Sequence, residues 1–177
     1  MKKLFVPCLV AVVLVACGSS ANETLLNDRE TVTVYNNDHT LIHQMEGVNL
    51  TLDYNVQEII GKVVGSDSTS LEPGDFLIEM TGTLNNNFED VIYYDASFTL
   101  QTNDGLTLEQ VSSSVEQQLE VASGTQKTFT TVYVISDADY ESNSELNLRV
   151  PAAFKEPNSE SSGDALGDFT IWQIPIK

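Results

Sequence analysis

The chain has 177 residues, 41% of them hydrophobic, which suits one domain with a buried core and is short for two. Its 26 acidic and 8 basic residues give a formal net charge of −18. Such a surface repels nucleic acid and anionic lipid head groups, and no cluster of Lys or Arg opposes the repulsion, so we expect no nucleic-acid partner.

Residues 1–16 have the composition of a secretory leader. Lys2 and Lys3 give a basic start, an apolar run follows over residues 4–15, and a small residue stands before Cys17. The run is too short to span a bilayer as a permanent helix. Since the leader carries two lysines and no acidic residue, its removal leaves a mature chain with a net charge of −20.

The leader ends in Leu14-Val15-Ala16-Cys17, which resembles the lipobox of bacterial lipoproteins. The resemblance implies that Cys17 receives diacylglycerol, that a dedicated peptidase cuts before it, and that lipid holds the chain at the extracytoplasmic face of the cell membrane. Residues 17–28 then form the lipidated cysteine and a flexible tether, because Gly18-Ser19-Ser20-Ala21-Asn22 is small and polar. Gly18 is typical of the Gram-positive pattern. An ordinary secretory leader with a chance cysteine is the alternative.

Cysteine usage limits the chemistry of the folded part. Cys8 lies inside the leader, so the domain over residues 29–177 contains no cysteine. A disulfide, a Cys-ligated metal and a thiol nucleophile are therefore excluded from it.

From Thr31 onward, apolar and polar residues alternate with period two, and clusters of Gly, Asn, Asp and Pro interrupt the pattern. This alternation predicts an antiparallel all-β sandwich of two packed sheets over residues 29–177. The predicted strands are 31–35, 48–56, 75–84, 91–102, 128–135, 145–150 and 168–176. The predicted inward faces include Val48, Leu50, Leu52 and Tyr54; Phe76, Ile78 and Met80; and Phe98 and Leu100. In the last strand, Trp172 or its neighbours Phe169 and Ile171 should reach the core.

Two stretches do not follow the strand pattern. Residues 107–119 combine helical spacing of Leu108, Val111 and Val115 with a Ser-rich centre, which predicts a loop or a short helix. The acidic, Ser- and Gly-containing residues 155–168 predict a mobile surface loop.

Several segments resemble one family in order and pattern. Phe76 to Asn86 resembles a strand that ends in an Asn-rich turn, Ala96 to Gly105 the next strand and turn, Leu119 to Val134 the following segment, and Leu146 to Pro151 a late strand. The family is the immunoglobulin-like β-sandwich of small Gram-positive lipoproteins and secreted antigens, a domain of unknown function. The resemblance spans roughly Val48 to Val150. It implies a fold and a surface location, and it supplies no catalytic residues.

Two sets of side chains could bind a cation. His39 and His43 would share one face of a strand near carboxylates and could hold zinc or copper, although exposed histidines in a polar edge segment are the favoured interpretation. The alternating acidic side chains Asp137, Asp139 and Glu141 could form an irregular calcium site. The EF-hand spacing is not met, because Gly and Glu are absent from its sixth and twelfth positions, and a solvated acidic turn is favoured.

No catalytic motif is present. The sequence has no Gly-x-Ser-x-Gly elbow, no Ser-x-x-Lys and no phosphate-binding Gly loop, and a carboxylate pair such as Glu79 and Asp95 would be an arbitrary choice. We therefore predict a non-enzymatic binding module without a cofactor, anchored to the membrane through lipid on Cys17 and recognising an unknown protein or envelope ligand. The alternatives are a divalent-cation-binding envelope protein and, third, an enzyme acting on wall polymers.

Overall fold

The computed structural model describes residues 30–61, 71–115, 118–159 and 163–177. The predicted leader, Cys17 and the tether lie outside the described residues. The strands within these ranges are β1 (Thr31–Asn36), β2 (Leu41–Met45), β3 (Val48–Ile59), β4 (Phe76–Asn86), β5 (Ile92–Tyr94), β6 (Thr99–Gln101), β7 (Glu109–Ser113), β8 (Leu119–Val121), β9 (Gln126–Ile135), β10 (Glu145–Val150) and β11 (Thr170–Pro175). One short helix, α1 (Asp137–Ser142), lies between β9 and β10.

The strands form two layers. The larger sheet has the order β1-β3-β4-β9-β7, and β2 pairs with β3 beside β1. The second layer contains the sheet β11-β10-β6 and the pair β5-β8. Every strand pair is antiparallel, and buried apolar side chains from both layers form one core. The predicted all-β antiparallel sandwich is confirmed.

The centre of the core is built on β3 and β4. Their predicted inward faces are buried, and the register pairs Leu50 with Leu84 and Val56 with Ile78. Gly82 is the exception to the apolar pattern of β4, because the ring of Phe129 on β9 occupies the place that a Cβ atom would take. Glycine at this position lets an aromatic ring lie against the backbone.

The edge of the larger sheet is one interrupted strand. β1 and β2 lie end to end along β3, and the chain bends away between them at residues 37–40. Asn37 holds the bend, because its N–H donates to the carbonyl of Tyr54 (3.1 Å) and its Nδ2 donates to the carbonyl of His39 (2.6 Å). The prediction missed β2, whose five residues are mixed in polarity.

The predicted strand 91–102 is wrong in its continuity. β5 pairs with β8, whereas β6 pairs with β10 in the neighbouring sheet. The break follows from Asp95, whose Oδ1 accepts a hydrogen bond from the N–H of Ser97 (2.8 Å) and so turns the chain.

The predicted loop or helix over 107–119 is also wrong. Residues Glu109–Ser113 form β7, which pairs with β9 at an edge of the larger sheet, and β8 follows. The helical spacing arose by coincidence: Leu108 is buried in the main core, whereas Val111 packs against a separate apolar cluster with Leu77 and Val132.

The described parts of 155–168 are not a simple surface loop. The N–H of Lys155 donates to the carbonyl of Asp164 (2.9 Å), and the N–H of Leu166 donates to the carbonyl of Ala153 (2.8 Å). Leu166 is fully buried in the main core. The two ends of the segment therefore pair with each other, and an apolar anchor fixes the second end.

The final strand completes the core, as predicted. β11 pairs with β10 along its whole length. Trp172 is half-buried against the core and Ile174 is fully buried, whereas Phe169 and Ile171 are 52% and 57% exposed. Of the alternatives that the prediction offered, Trp172 is the one that reaches the core. Residues 172 and 174 share the inward face of the strand, and residue 171 takes the outward one.

We predict that Ile174→Ala lowers the free energy of unfolding by about 2–5 kcal/mol, since it removes a fully buried side chain and leaves a cavity. The matched control is Ile171→Ala in the same strand, which should change it by less than about 0.5 kcal/mol. Urea unfolding of both variants measures the difference. Equal effects would show that β11 does not present these faces.

Candidate functional site

The two histidines lie in different secondary-structure elements. His39 is exposed in the bend between β1 and β2, and His43 lies within β2. The imidazole of His43 meets the indole of Trp172 edge-on, with ring centroids 6.2 Å apart and an interplanar angle of 88°. The prediction that both histidines occupy one strand is wrong, because the bend at residues 37–40 separates them.

The environment of His43 disfavours its charged form. Burial lowers the pKa of the imidazole below its usual value of 6.5, and a hydrogen bond with the Asp168 backbone opposes part of that effect. His43 therefore packs against Trp172 of β11 as a mainly neutral ring.

The predicted acidic turn is a helix. Asp137, Asp139 and Glu141 lie on α1, which begins after the N-cap Ser136. The N–H of Asp139 donates to Oγ of Ser136 (3.2 Å), and that hydroxyl donates to Oδ2 of Asp139 (2.6 Å). Oε2 of Glu141 lies 3.9 Å from Nζ of Lys177. Acidic residues suit this position because carboxylates stabilise a helix N-terminus.

These positions do not assemble a cation site. Within the ranges that the structure describes, no group of three or more His, Cys, Asp and Glu side chains is arranged to hold a metal ion. Asp139 is engaged with the helix cap and Glu141 with Lys177. Among the described residues, the fold brings no third ligand to His39 and His43, and it does not arrange Asp137, Asp139 and Glu141 around one point.

A cleft of about 850 Å³ opens beside the outer face of the smaller sheet, and we call it the Arg149 cleft. The residues that line it are Asp95, Gln118, Arg149, Pro151, Phe154, Asn158 and Ser159. They come from the turn after β5, the position just before β8, the end of β10 and the segment that follows β10.

Backbone pairing fixes the walls of the Arg149 cleft. Phe154 and Tyr93 exchange two backbone hydrogen bonds of 2.8 Å, which holds the segment after β10 beside β5. The N–H of Asn158 donates to Oε1 of Gln118 (3.0 Å), and Asn158 has a left-handed backbone with φ of 56°. The turn that carries Asn158 is thus tied to β8 across the cleft.

Arg149 points outward because Leu148 and Val150, its neighbours in β10, are buried in the core. It lies in the middle strand of its sheet, opposite Ile171 on one side and Thr99 on the other. Its Cζ atom lies 4.4 Å from the ring centroid of Phe169, an arrangement in which the aromatic face attracts the guanidinium.

The charge of Arg149 is not neutralised within the described part of the chain. No carboxylate there lies within 4.0 Å of its guanidinium, although Asp95 lines the same cleft. The exposed side chains of Phe169 and Ile171 flank it. The cleft therefore combines one unpaired cation, one carboxylate, amide groups and apolar surface.

Sequence reasoning did not find this site. The available signal was a single arginine at an outward strand position in a chain of net charge −18. The remaining cleft residues are separated by as many as 64 positions, from Asp95 to Ser159, and only the fold brings them together.

A second, smaller hollow of about 260 Å³ lies where β1 ends. Its lining residues are Asn36, Asn37, Asp53, Tyr54, Asn55 and Thr81. Asn37 is already engaged in holding the bend, and the phenol of Tyr54 donates to the carbonyl of Pro175 (2.8 Å). Two of its polar side chains therefore serve the fold, and we do not assign a ligand to it.

Comparison with known proteins identifies the fold. No family model and no curated protein matches the chain. A functionally unknown protein from Listeria monocytogenes has a similar structure, with a TM-score of 0.65, 15% identity and coverage of 90% of this chain and 94% of that one. A proposed lipoprotein from Bacillus subtilis has a TM-score of 0.51 and 12% identity; the match covers 78% of this chain and 39% of that longer one.

At these identities the likeness shows a shared β-sandwich fold in Gram-positive bacterial proteins of unknown function. The immunoglobulin-like type stays a prediction. Over the described residues, no helix has the length and apolar character needed to cross a membrane.

We predict that His43 makes the domain less stable as the pH falls. Its pKa in the folded chain lies below the 6.5 of the unfolded chain, so the unfolded state binds more protons once the pH drops below about 6.5. Stability contributed by neutral His43 is present above this value and is lost as the pH falls through the lower folded pKa. Thermal melting between pH 7.5 and pH 5 should therefore fall less steeply for His43→Gln than for the parent chain.

The control for this prediction is His39→Gln, which removes an exposed imidazole from the neighbouring bend. Its melting profile should retain the parental pH dependence. A parental profile for His43→Gln as well would contradict the assignment.

Proposed function

We propose that this chain is a lipid-anchored, non-enzymatic binding module of the cell envelope, and that its ligand occupies the Arg149 cleft. The observation that carries the proposal is the unpaired guanidinium of Arg149, stacked on Phe169 in a cleft of about 850 Å³. Most of the residues that line the cleft are polar or charged, and Pro151 and Phe154 add apolar surface, so the cleft offers a ligand several fixed polar groups.

The ionisable groups of the cleft support binding over acid–base catalysis. Its described lining contains one carboxylate, Asp95, and one guanidinium, Arg149. A guanidinium remains protonated at neutral pH, so it can donate hydrogen bonds and does not serve as a general base. Hydrolysis of glycosidic bonds generally uses two carboxylates placed across the bond, and Asp95 has no such companion in the lining.

The membrane location in this proposal comes from the leader. Leu14-Val15-Ala16-Cys17 resembles a lipobox, and the tether after Cys17 is short, so the sandwich would stay near the membrane. The Bacillus subtilis protein with a similar structure is described as a proposed lipoprotein, which agrees with this location. An acidic domain has no basic patch to assist membrane binding, so the lipid must supply the anchor.

We predict that Cys17→Ser abolishes lipidation and releases the chain from the membrane fraction. Two acyl chains on Cys17 give stable anchoring, whereas a single chain gives only marginal binding. Fractionation of cells followed by immunoblotting measures the distribution. The chain supplies its own matched control, Cys8→Ser, which alters the other leader cysteine and should leave the membrane fraction unchanged. Equal membrane association of the parent and Cys17→Ser would refute the anchor.

We predict that a photo-crosslinking phenylalanine analogue at Phe154 captures the ligand in intact cells. Phe154 is aromatic and lines the Arg149 cleft, so the substitution is conservative. The matched control is the same analogue at Thr128, an exposed residue on the larger sheet. A crosslinked species found at 154 and absent at 128 supports the cleft as the binding surface; identical patterns at both positions would exclude it.

A further inference from the structure

Arg149 is distinguished from the other cations that the structure describes, which are Lys127, Lys155 and Lys177. Lys177 pairs with Glu141 and lies over the ring of Tyr140. Lys155 lies 5.3 Å from the ring centroid of Phe88 and is exposed, and Lys127 is an exposed residue of β9. Among these four residues, Arg149 is the one that lines the cleft.

The stacking on Phe169 prepares Arg149 to bind an anion. A guanidinium held over an aromatic ring keeps its N–H donors at the edge of its plane, where a carboxylate can accept two of them in parallel. Ordering a long side chain before binding reduces the entropy that the ligand must offset. An arginine that has no carboxylate partner among the described residues and is held over an aromatic ring can therefore accept an anion.

Asp95 restricts which anions are accepted. One of its oxygens, Oδ1, accepts from the N–H of Ser97, and the other has no partner among the described residues. A second anionic group in the cleft would be repelled by Asp95 and by the acidic surface, whereas an N–H donor would be attracted. This arrangement favours a ligand with one carboxylate and neighbouring N–H groups over a polyphosphate or another polyanion.

The rest of the lining fits the same ligand. Pro151 and Phe154 provide apolar surface, and Gln118 provides an amide within the cleft. A carboxylate, a neighbouring N–H donor and a small apolar side chain together are the chemistry of a peptide C-terminus.

We propose that the Arg149 cleft recognises the free C-terminal carboxylate of a peptide, with Arg149 binding the carboxylate and Asp95 accepting from peptide N–H groups. This inference rests on the proposed binding function and names the chemical class of its ligand. Arg149 determines affinity for the carboxylate, and Asp95 determines selectivity for peptides over simple anions.

The test is isothermal titration calorimetry on the full chain in detergent, with trialanine as the probe. We expect trialanine to bind and its C-terminal amide to bind at least about tenfold more weakly, the usual loss for a hydrogen bond to a charged group. Arg149→Gln should weaken trialanine binding by a similar factor of about ten. This variant should bind trialanine and its C-terminal amide with equal affinity. The affinity of Arg149→Lys for trialanine should lie between those of the parent and Arg149→Gln, because lysine keeps the charge but lacks the planar guanidinium.

Lys127→Gln removes the same charge from an exposed residue of β9 that does not line the cleft, and it should bind trialanine as the parent does. Inorganic phosphate should bind more weakly than trialanine, and Asp95→Asn should narrow that difference. Absence of trialanine binding, equal binding of acid and amide, or phosphate binding as tight as trialanine would overturn the assignment. Crosslinking at Phe154 tests the cleft itself, so a specific crosslink without trialanine binding would retain the binding function and reject the peptide ligand.

Discussion

Alternate side chains of β3 and β4 are buried against the second layer, and this burial is the constraint on which the other features depend. Val48, Leu50 and Leu52 are fully buried, and each is separated from the next by a residue on the opposite face. A shift of one residue in register would turn this whole set toward solvent, so the pairing of β3 with β4 is strongly specified. The sheet edges, the second layer and the cleft are positioned relative to this pair.

The same alternation places the functional side chain. β10 contributes Leu148 and Val150 to the core, so the side chain of Arg149 between them lies on the outer face of the sheet. Phe169 directly precedes β11, which Ile174 anchors in the core, and its ring lies against the guanidinium. The hydrophobic core thus determines where the unpaired charge stands.

The walls of the cleft come from interruptions in the regular strands. Asp95 ends β5 by accepting from the N–H of Ser97, and the segment after β10 folds back to pair Phe154 with Tyr93. Leu166 fixes the return of that segment in the core. Irregular backbone on a rigid sandwich is a common location for binding groups, because the scaffold positions loops without constraining their sequence.

The buried amide of Asn86 could be taken for part of a binding site, but its role is structural. Asn86 is fully buried, its Nδ2 donates to the carbonyls of Asp90 (2.8 Å) and Val121 (2.9 Å), and its Oδ1 accepts from the N–H of Phe88 (2.8 Å). Both amide hydrogens and the carbonyl oxygen of Asn86 thus bind backbone atoms of the β4 turn and of β8. Asn86 is therefore occupied by the fold, whereas Arg149 has no carboxylate partner within the described ranges and can bind a ligand.

The sequence by itself determined the strand-rich composition, the inward faces of β3 and β4, and the participation of a final strand, because period-two burial leaves a direct pattern in the chain. It did not determine β2, β7 and β8, which are short and whose pairing depends on neighbours distant in sequence. It also read residues 137–145 as a turn, although the cap at Ser136 favours the helix that forms. Only the tertiary structure decided the site. Asp95, Arg149 and Phe154 line one cleft because two strands and a returning segment lie side by side in the fold, and local sequence patterns do not encode such long-range proximity.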